Sequence, residues 1–74
     1  MPLVNVKLIE GVFTDGQKAQ IISDLTDAMV RIEGESLRGV TWVVIEEVAG
    51  GNWAIGGQPL TAAAVLEMAN GAPV

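Results

Sequence analysis

Apolar and polar positions alternate at the start of the chain: between Pro2 and Ile9, Asn5 and Lys7 interrupt a run otherwise made of Leu, Val and Ile. A period of two in β-branched residues predicts a strand over 2–9, one face covered and the other partly wet. Glu10-Gly11 ends it. The period then changes. Thr14, followed three residues later by Gln17, is a capping-box signature. Ile21, Ile22, Leu25, Ala28, Met29 and Ile32 recur at spacings of three and four, while Lys18, Ser23, Asp24, Asp27 and Arg31 take the wet side. This is the stripe of an amphipathic helix, and Gly34 supplies its stop. Val40–Glu47, rich in β-branched residues and carrying Trp42, reads as a second strand. Gly50, Gly51, Gly56 and Gly57 enclose Asn52-Trp53-Ala54-Ile55, a turn or short hairpin. Thr61 opens a short terminal helix through Asn70 with Val65, Leu66 and Met68, and residues 71–74 are expected to fray.

Strand, helix and strand in that order form a β-α-β unit whose crossover is expected to be right-handed and whose strands are expected to be parallel. The fold class is therefore α/β, in one domain spanning 1–74, with a short Gly-rich hairpin and a short C-terminal helix. One main helix over two strands leaves one sheet face and both edges uncovered. A second copy would extend the sheet to four strands, and further stacking would cover the open face.

Composition strengthens that expectation. Half of the 74 residues are hydrophobic and the mean hydropathy is +0.44. A chain of this size buries only about 60% of its unfolded surface and usually needs reinforcement. Cys and His are both absent, which removes disulfides and the usual zinc ligands. No metal and no cofactor are expected, and the remaining reinforcement is a homo-oligomer. The net charge is −5, with Lys7, Lys18, Arg31 and Arg38 as the cations. No basic patch for nucleic acid can be drawn from these four. The start of the chain lacks the pattern of a signal peptide, and no apolar run approaches the ~20 residues of a membrane span. A cytoplasmic protein without a membrane or nucleic-acid partner is expected.

Pro2, directly behind Met1, is the position with most chemistry to offer. Bacterial processing commonly removes an initiator methionine ahead of a small residue, which would leave a free secondary amine at the head of a strand. An α-amino group titrates near ~8 in water, partial burial lowers that value, and a base poised near the working pH suits proton transfer. The plainer reading, a proline at a strand edge or terminus, stands beside it. Glu46 and Glu47 are neighbours on a strand and point to opposite faces, so they read as solvent or interface ion pairs and not as one paired site. The glycines of 50–57 lack the helix and the Lys-Ser/Thr of a phosphate loop and read as bend-makers. Met29 and Met68 read as core fillers or contact residues.

Taken together, Met1-Pro2 opening a strand, Glu10-Gly11, the capped helix, the Val-Ile-Glu-Glu strand and Asn52-Trp-Ala-Ile-Gly-Gly57 resemble the 4-oxalocrotonate tautomerase family, from Pro2 to about Leu60. The resemblance implies small β-α-β subunits assembled as homohexamers, trimers of dimers, acting on a small-molecule substrate as cofactor-free isomerases. It implies an amino-terminal proline in a hydrophobic pocket that takes a proton from an enol or dienol of a 2-keto acid and returns it to a neighbouring carbon. Pro2 would be that base, and Trp53 the aromatic wall of the pocket. The family's substrate-binding arginines fall, by the same resemblance, at Val12 and Trp42, and a further arginine of its dehalogenase branch at Ile9. None of these positions is cationic here. A lost charged contact to a developing oxyanion costs a few kcal/mol. A monocarboxylate or more apolar enol, of the phenylenolpyruvate type, therefore suits the pocket better than the dicarboxylate 2-hydroxymuconate.

Several assignments stay open at this point. Arg38, in the loop before the second strand, either reaches a pocket or is a solvated arginine. Lys7 either replaces a missing arginine or pairs with a carboxylate at a subunit contact. Asn5 is a hydrogen-bond donor to substrate or an inter-strand tie, and Trp42 a pocket or an interface aromatic. Two other functions compete: a hydratase, dehalogenase or decarboxylase on the same scaffold, and a non-catalytic assembly or binding member of the fold.

Overall fold

The alternation that opens the chain becomes strand β1, Leu3–Ile9, whose even-numbered residues and Ile9 are the more covered. In the computed structural model, residues 1–71 are described. Helix α1 (Asp15–Glu33) follows, then a 3₁₀ helix over Glu35–Val40, strand β2 (Trp42–Val48), strands β3 (Trp53–Ile55) and β4 (Gln58–Leu60), and helix α2 (Ala62–Ala69). β1 pairs with β2, and β3 with β4. The N–H of Trp42 donates to the Pro2 carbonyl at 3.0 Å, and the N–H of Glu10 to the Val48 carbonyl at 2.8 Å. Start meets start and end meets end, so β1 and β2 are parallel, as a connecting helix requires.

The chain forms two compact units, each from two stretches: Met1–Val6 with Thr14–Glu46, and Lys7–Phe13 with Glu47 onward. In the first, α1 begins at the expected capping box. Thr14 Oγ1 accepts from the Gln17 N–H at 3.1 Å, and Gln17 Oε1 accepts from the Thr14 N–H at 2.9 Å. It ends at Gly34, whose φ of 105° suits glycine and whose N–H donates to the Val30 carbonyl at 2.8 Å. Val30 is buried, whereas Ile32, placed on the stripe by periodicity, is 84% exposed. The 3₁₀ helix explains the correction. It packs on α1, and Arg38 ties it to Asp27 at 2.9 Å, on the flank of α1 that carries Val30.

The second strand also needs correcting. Its expected start at Val40 lies in the 3₁₀ helix, which Leu37 and Thr41 close by donating N–H groups to the carbonyls of Gly34 and Arg38. Thr41 Oγ1 lies 2.8 Å from the Leu37 carbonyl and 3.0 Å from Glu33 Oε1. These local bonds outweigh the β-propensity of Val40 and Thr41, and β2 starts two residues late. Arg38 is accordingly helical, not in an open loop. On the sheet, Asn5 Nδ2 donates to Glu46 Oε1 at 2.6 Å, an inter-strand tie.

In the second unit, β3 and β4 form a hairpin with Trp53 opposite Leu60, Ala54 opposite Pro59 and Ile55 opposite Gln58. Its two-residue loop, Gly56-Gly57, has φ of 58° and 82°, the doubly positive geometry that follows the twist of a tight hairpin. α2 is capped by Thr61, which accepts from the Ala64 N–H at 3.1 Å, and ends with Asn70 at its C-cap. Of the chain end expected to fray, residues 72–74 lie outside the described residues.

Among the described residues, the buried apolar side chains are Ile9 and Val30, while Leu3 and Trp42 remain 62% and 54% exposed. No helix among them is long and apolar enough to cross a membrane.

Candidate functional site

The second unit contains a cavity of about 230 Å³. β1 contributes Lys7, Leu8 and Ile9 to its lining, and the loop after β1 contributes Val12 and Phe13. Trp53 and Leu60 come from the hairpin, and Val65 from α2. Apart from Lys7 every lining residue is apolar, which favours a ligand with an apolar body.

Local chemistry explains the convergence. β1 ends at Ile9, and Gly11, with φ of 89°, turns the chain so that Val12 and Phe13 border the same space. The Gly56-Gly57 loop sets the hairpin register, which puts Trp53 directly opposite Leu60. Residues facing each other on a ladder share one side of it, and both reach the cavity. The base of the hairpin is closed by the Gly51 N–H, which donates to the Leu60 carbonyl at 2.9 Å.

Three of the candidates chosen from sequence, Ile9, Val12 and Trp53, thus line one cavity. Ile9 is buried, and Val12 and Trp53 are half-buried. Pro2, Arg38 and Trp42 belong to the other compact unit. There Pro2 is half-buried and heads β1, its carbonyl held by Trp42. Arg38 Nε donates to Glu35 Oε1 at 2.7 Å and its Nη1 to Asp27 Oδ1 at 2.9 Å. Hydrogen bonds from Arg38 hold the Glu35 carboxyl below the ordinary carboxylate range. The same bonds, first to Glu35 and then to Asp27, push the guanidinium further towards its charged form.

Phe13, Leu60 and Val65 line the cavity without having been singled out as candidates. Leu60 was recoverable: a two-residue Gly-Gly turn centred between Ile55 and Gln58 pairs 53 with 60. Phe13, the one phenylalanine in the chain, carries a weaker signal. For Val65 no motif exists, because its place depends on how α2 packs. Among the described residues no cluster of His, Cys, Asp and Glu is arranged to hold a metal ion.

Comparison with known proteins adds to this geometry. The model of the Tautomerase enzyme family matches residues 2–63. The chain is 38% identical over 61 residues to probable tautomerase K2 of Dickeya dadantii, covering 82% of this chain and 90% of that one. It is 43% identical over 63 residues to probable tautomerase RSp0893 of Ralstonia nicotianae, covering 85% and 87%. Among solved structures, a 4-oxalocrotonate tautomerase isozyme from Methylibium petroleiphilum superposes with a TM-score of 0.70 at 36% identity, covering 86% of this chain and 97% of that one. YwhB, a homologue of 4-oxalocrotonate tautomerase, gives 0.68 at 35% identity, covering 77% and 90%. With its β-α-β order, its glycine-turned hairpin and these relatives, the chain belongs to the Tautomerase enzyme family, as an isomerase of the 4-oxalocrotonate tautomerase type.

Proposed function

We propose that the protein is a cofactor-free keto–enol tautomerase whose general base is the amine of Pro2, exposed by loss of Met1. The neutral amine takes the enol hydroxyl proton, the O–H electrons become the carbonyl, and the C=C electrons pass to carbon. That carbon then takes a proton from the prolinium nitrogen, so the base is regenerated and nothing is oxidised or reduced. An apolar surface around such an amine disfavours its charged form and keeps it available as a base.

The observation that carries this reading is the cavity that collects Ile9, Val12 and Trp53, chain positions far apart in sequence, into one apolar lining. These residues would hold the body of the substrate, and because Pro2 heads β1 while Ile9 ends it, the amine serving the cavity would come from a neighbouring copy in the oligomer. By the resemblance, Val12 stands where the family has an arginine for a substrate carboxylate, so the substrate is a monocarboxylate enol with an apolar substituent. The family match beginning at residue 2 supports the role given to Pro2. Arg38, paired with Glu35 and Asp27, would have to leave both carboxylates to serve a substrate.

The active form is proposed to be a homo-oligomer in which copies cover the apolar side chains that one chain leaves open. Leu3 and Trp42 on the sheet and Ile55 on the hairpin are more than half exposed, and subunit contacts would cover such side chains. A hexamer is the assembly proposed.

The test is ketonisation of phenylenolpyruvate by protein whose mass shows Met1 absent, by protein retaining Met1, and by Pro2→Ala. Activity in the first alone is expected. Equal rates in all three would remove Pro2 from the chemistry, and rates no higher than the uncatalysed reaction would leave a binding member of the fold.

A further inference from the structure

α2 is short. Eight residues, Ala62–Ala69, make a helix too brief to persist by intrinsic propensity alone, so its position must be fixed by what it touches. Its first turn is seated against two glycines. A Cβ built on Gly11 would stand 3.4 Å from the Ala62 Cβ, and one on Gly50 would stand 3.8 Å from the Ala62 nitrogen. Gly11 also has φ of 89°, a backbone conformation that favours glycine. Thr61 completes the seat by capping the helix at 3.1 Å. One turn on, at the i+3 position that shares a face with Ala62, Val65 lines the cavity beside Phe13, Trp53 and Leu60. Ala62 and Val65 are half-buried, while Ala63, Leu66 and Glu67 are exposed.

The match to the family model ends at residue 63, so Val65 lies beyond it. From the seat of α2 and the place of Val65 in the cavity, we infer that α2 is the specificity wall of this site. Val65 is the residue that sets the size of apolar substituent the substrate carries. The cavity measures about 230 Å³, and an apolar cavity of about 150 Å³ is already enough to bind benzene. A phenyl-sized substituent fits with room left over; a fused bicyclic one, roughly half as large again, fills the space and presses on its lining, Val65 included. This inference rests on the reading that the cavity receives substrate.

The test uses the full chain, Val65→Ala and Val65→Phe, with 2-keto-acid enols bearing methyl, phenyl and naphthyl groups. Val65→Phe is expected to lower kcat/KM for the phenyl substrate at least tenfold relative to the methyl substrate, chiefly through KM. Val65→Ala is expected to raise the naphthyl-to-phenyl ratio at least tenfold, and it carries the test alone where Val65→Phe does not fold. A change by one common factor across the series, or no change, overturns the wall. Calorimetric binding of the matching non-enolised 2-keto acids separates this from the chemistry. Size-dependent binding that follows Val65, with no Pro2-dependent turnover, keeps the wall and overturns the proposed reaction. Pro2-dependent turnover that is indifferent to Val65 does the reverse.

Discussion

Thr14 and Gln17 satisfy each other twice, the Thr14 hydroxyl taking the Gln17 N–H and the Gln17 amide oxygen taking the Thr14 N–H. Both bonds neutralise donors that the first turn of α1 would otherwise leave without an intrahelical partner. Thr14→Ala is expected to cost about 1 kcal/mol of stability. Thr14→Asp, which keeps an acceptor at the cap, should recover most of it. Urea unfolding of the three proteins at equal concentration checks this.

Val12 offers a direct probe of substrate choice. Val12→Arg places a guanidinium at the lining of the apolar cavity, and a charged hydrogen bond contributes about 1.5–3 kcal/mol. The expected outcome is a rise of about tenfold or more in kcat/KM for a dicarboxylate enol relative to a phenyl-bearing monocarboxylate. Steady-state kinetics with both substrates reads the ratio, and an unchanged ratio counts against Val12 as a substrate contact.

Assembly can be challenged from the open sheet face. Leu3 is 62% exposed in the single chain, so Leu3→Glu removes little packing within it. In an assembly that covers this face the same change buries an unpaired carboxylate, which is strongly disfavoured. Light scattering should therefore report a smaller particle for Leu3→Glu than for the unaltered protein. An unchanged mass would place the interface elsewhere.

Acid should loosen the 3₁₀ helix. The Glu35 carboxyl is held below its ordinary range by hydrogen bonds from Arg38. Its contribution to stability is therefore complete above the unfolded value of about 4.3 and is lost as pH falls through the lower folded value. Glu35→Gln should flatten that part of the acid limb, read as urea midpoints between pH 3 and 6. Both partners are exposed, so the effect is small beside the total.

The capping box, the stop at Gly34 and the hairpin bend were legible because each is a short-range device whose residue types carry their own geometry. The β-α-β order followed from the change of hydrophobic period. Ile32 was misplaced, and Val30 passed over, for the opposite reason: periodicity finds a face but not what packs on its last turns, and here the 3₁₀ helix packs on α1. Val40 was misjudged because its β-propensity competes with hydrogen bonds supplied by Gly34, Leu37 and Thr41, which no composition rule anticipates. Within the cavity, Ile9, Val12 and Trp53 came from family likeness. Phe13 and Val65 depend on a positive-φ turn at Gly11 and on a helix seated against it, and tertiary placement of that kind leaves no local mark.

The sheet is fastened at the head of β1 through the Pro2 carbonyl, and a proline nitrogen, having no hydrogen in the chain, takes no part in the ladder. Excision of Met1, as proposed, would change that nitrogen and not the carbonyl that accepts from Trp42. On the proposed reading, the atom that would gain a basic lone pair is one the β1–β2 ladder does not use, so arming the enzyme would leave that pairing unchanged.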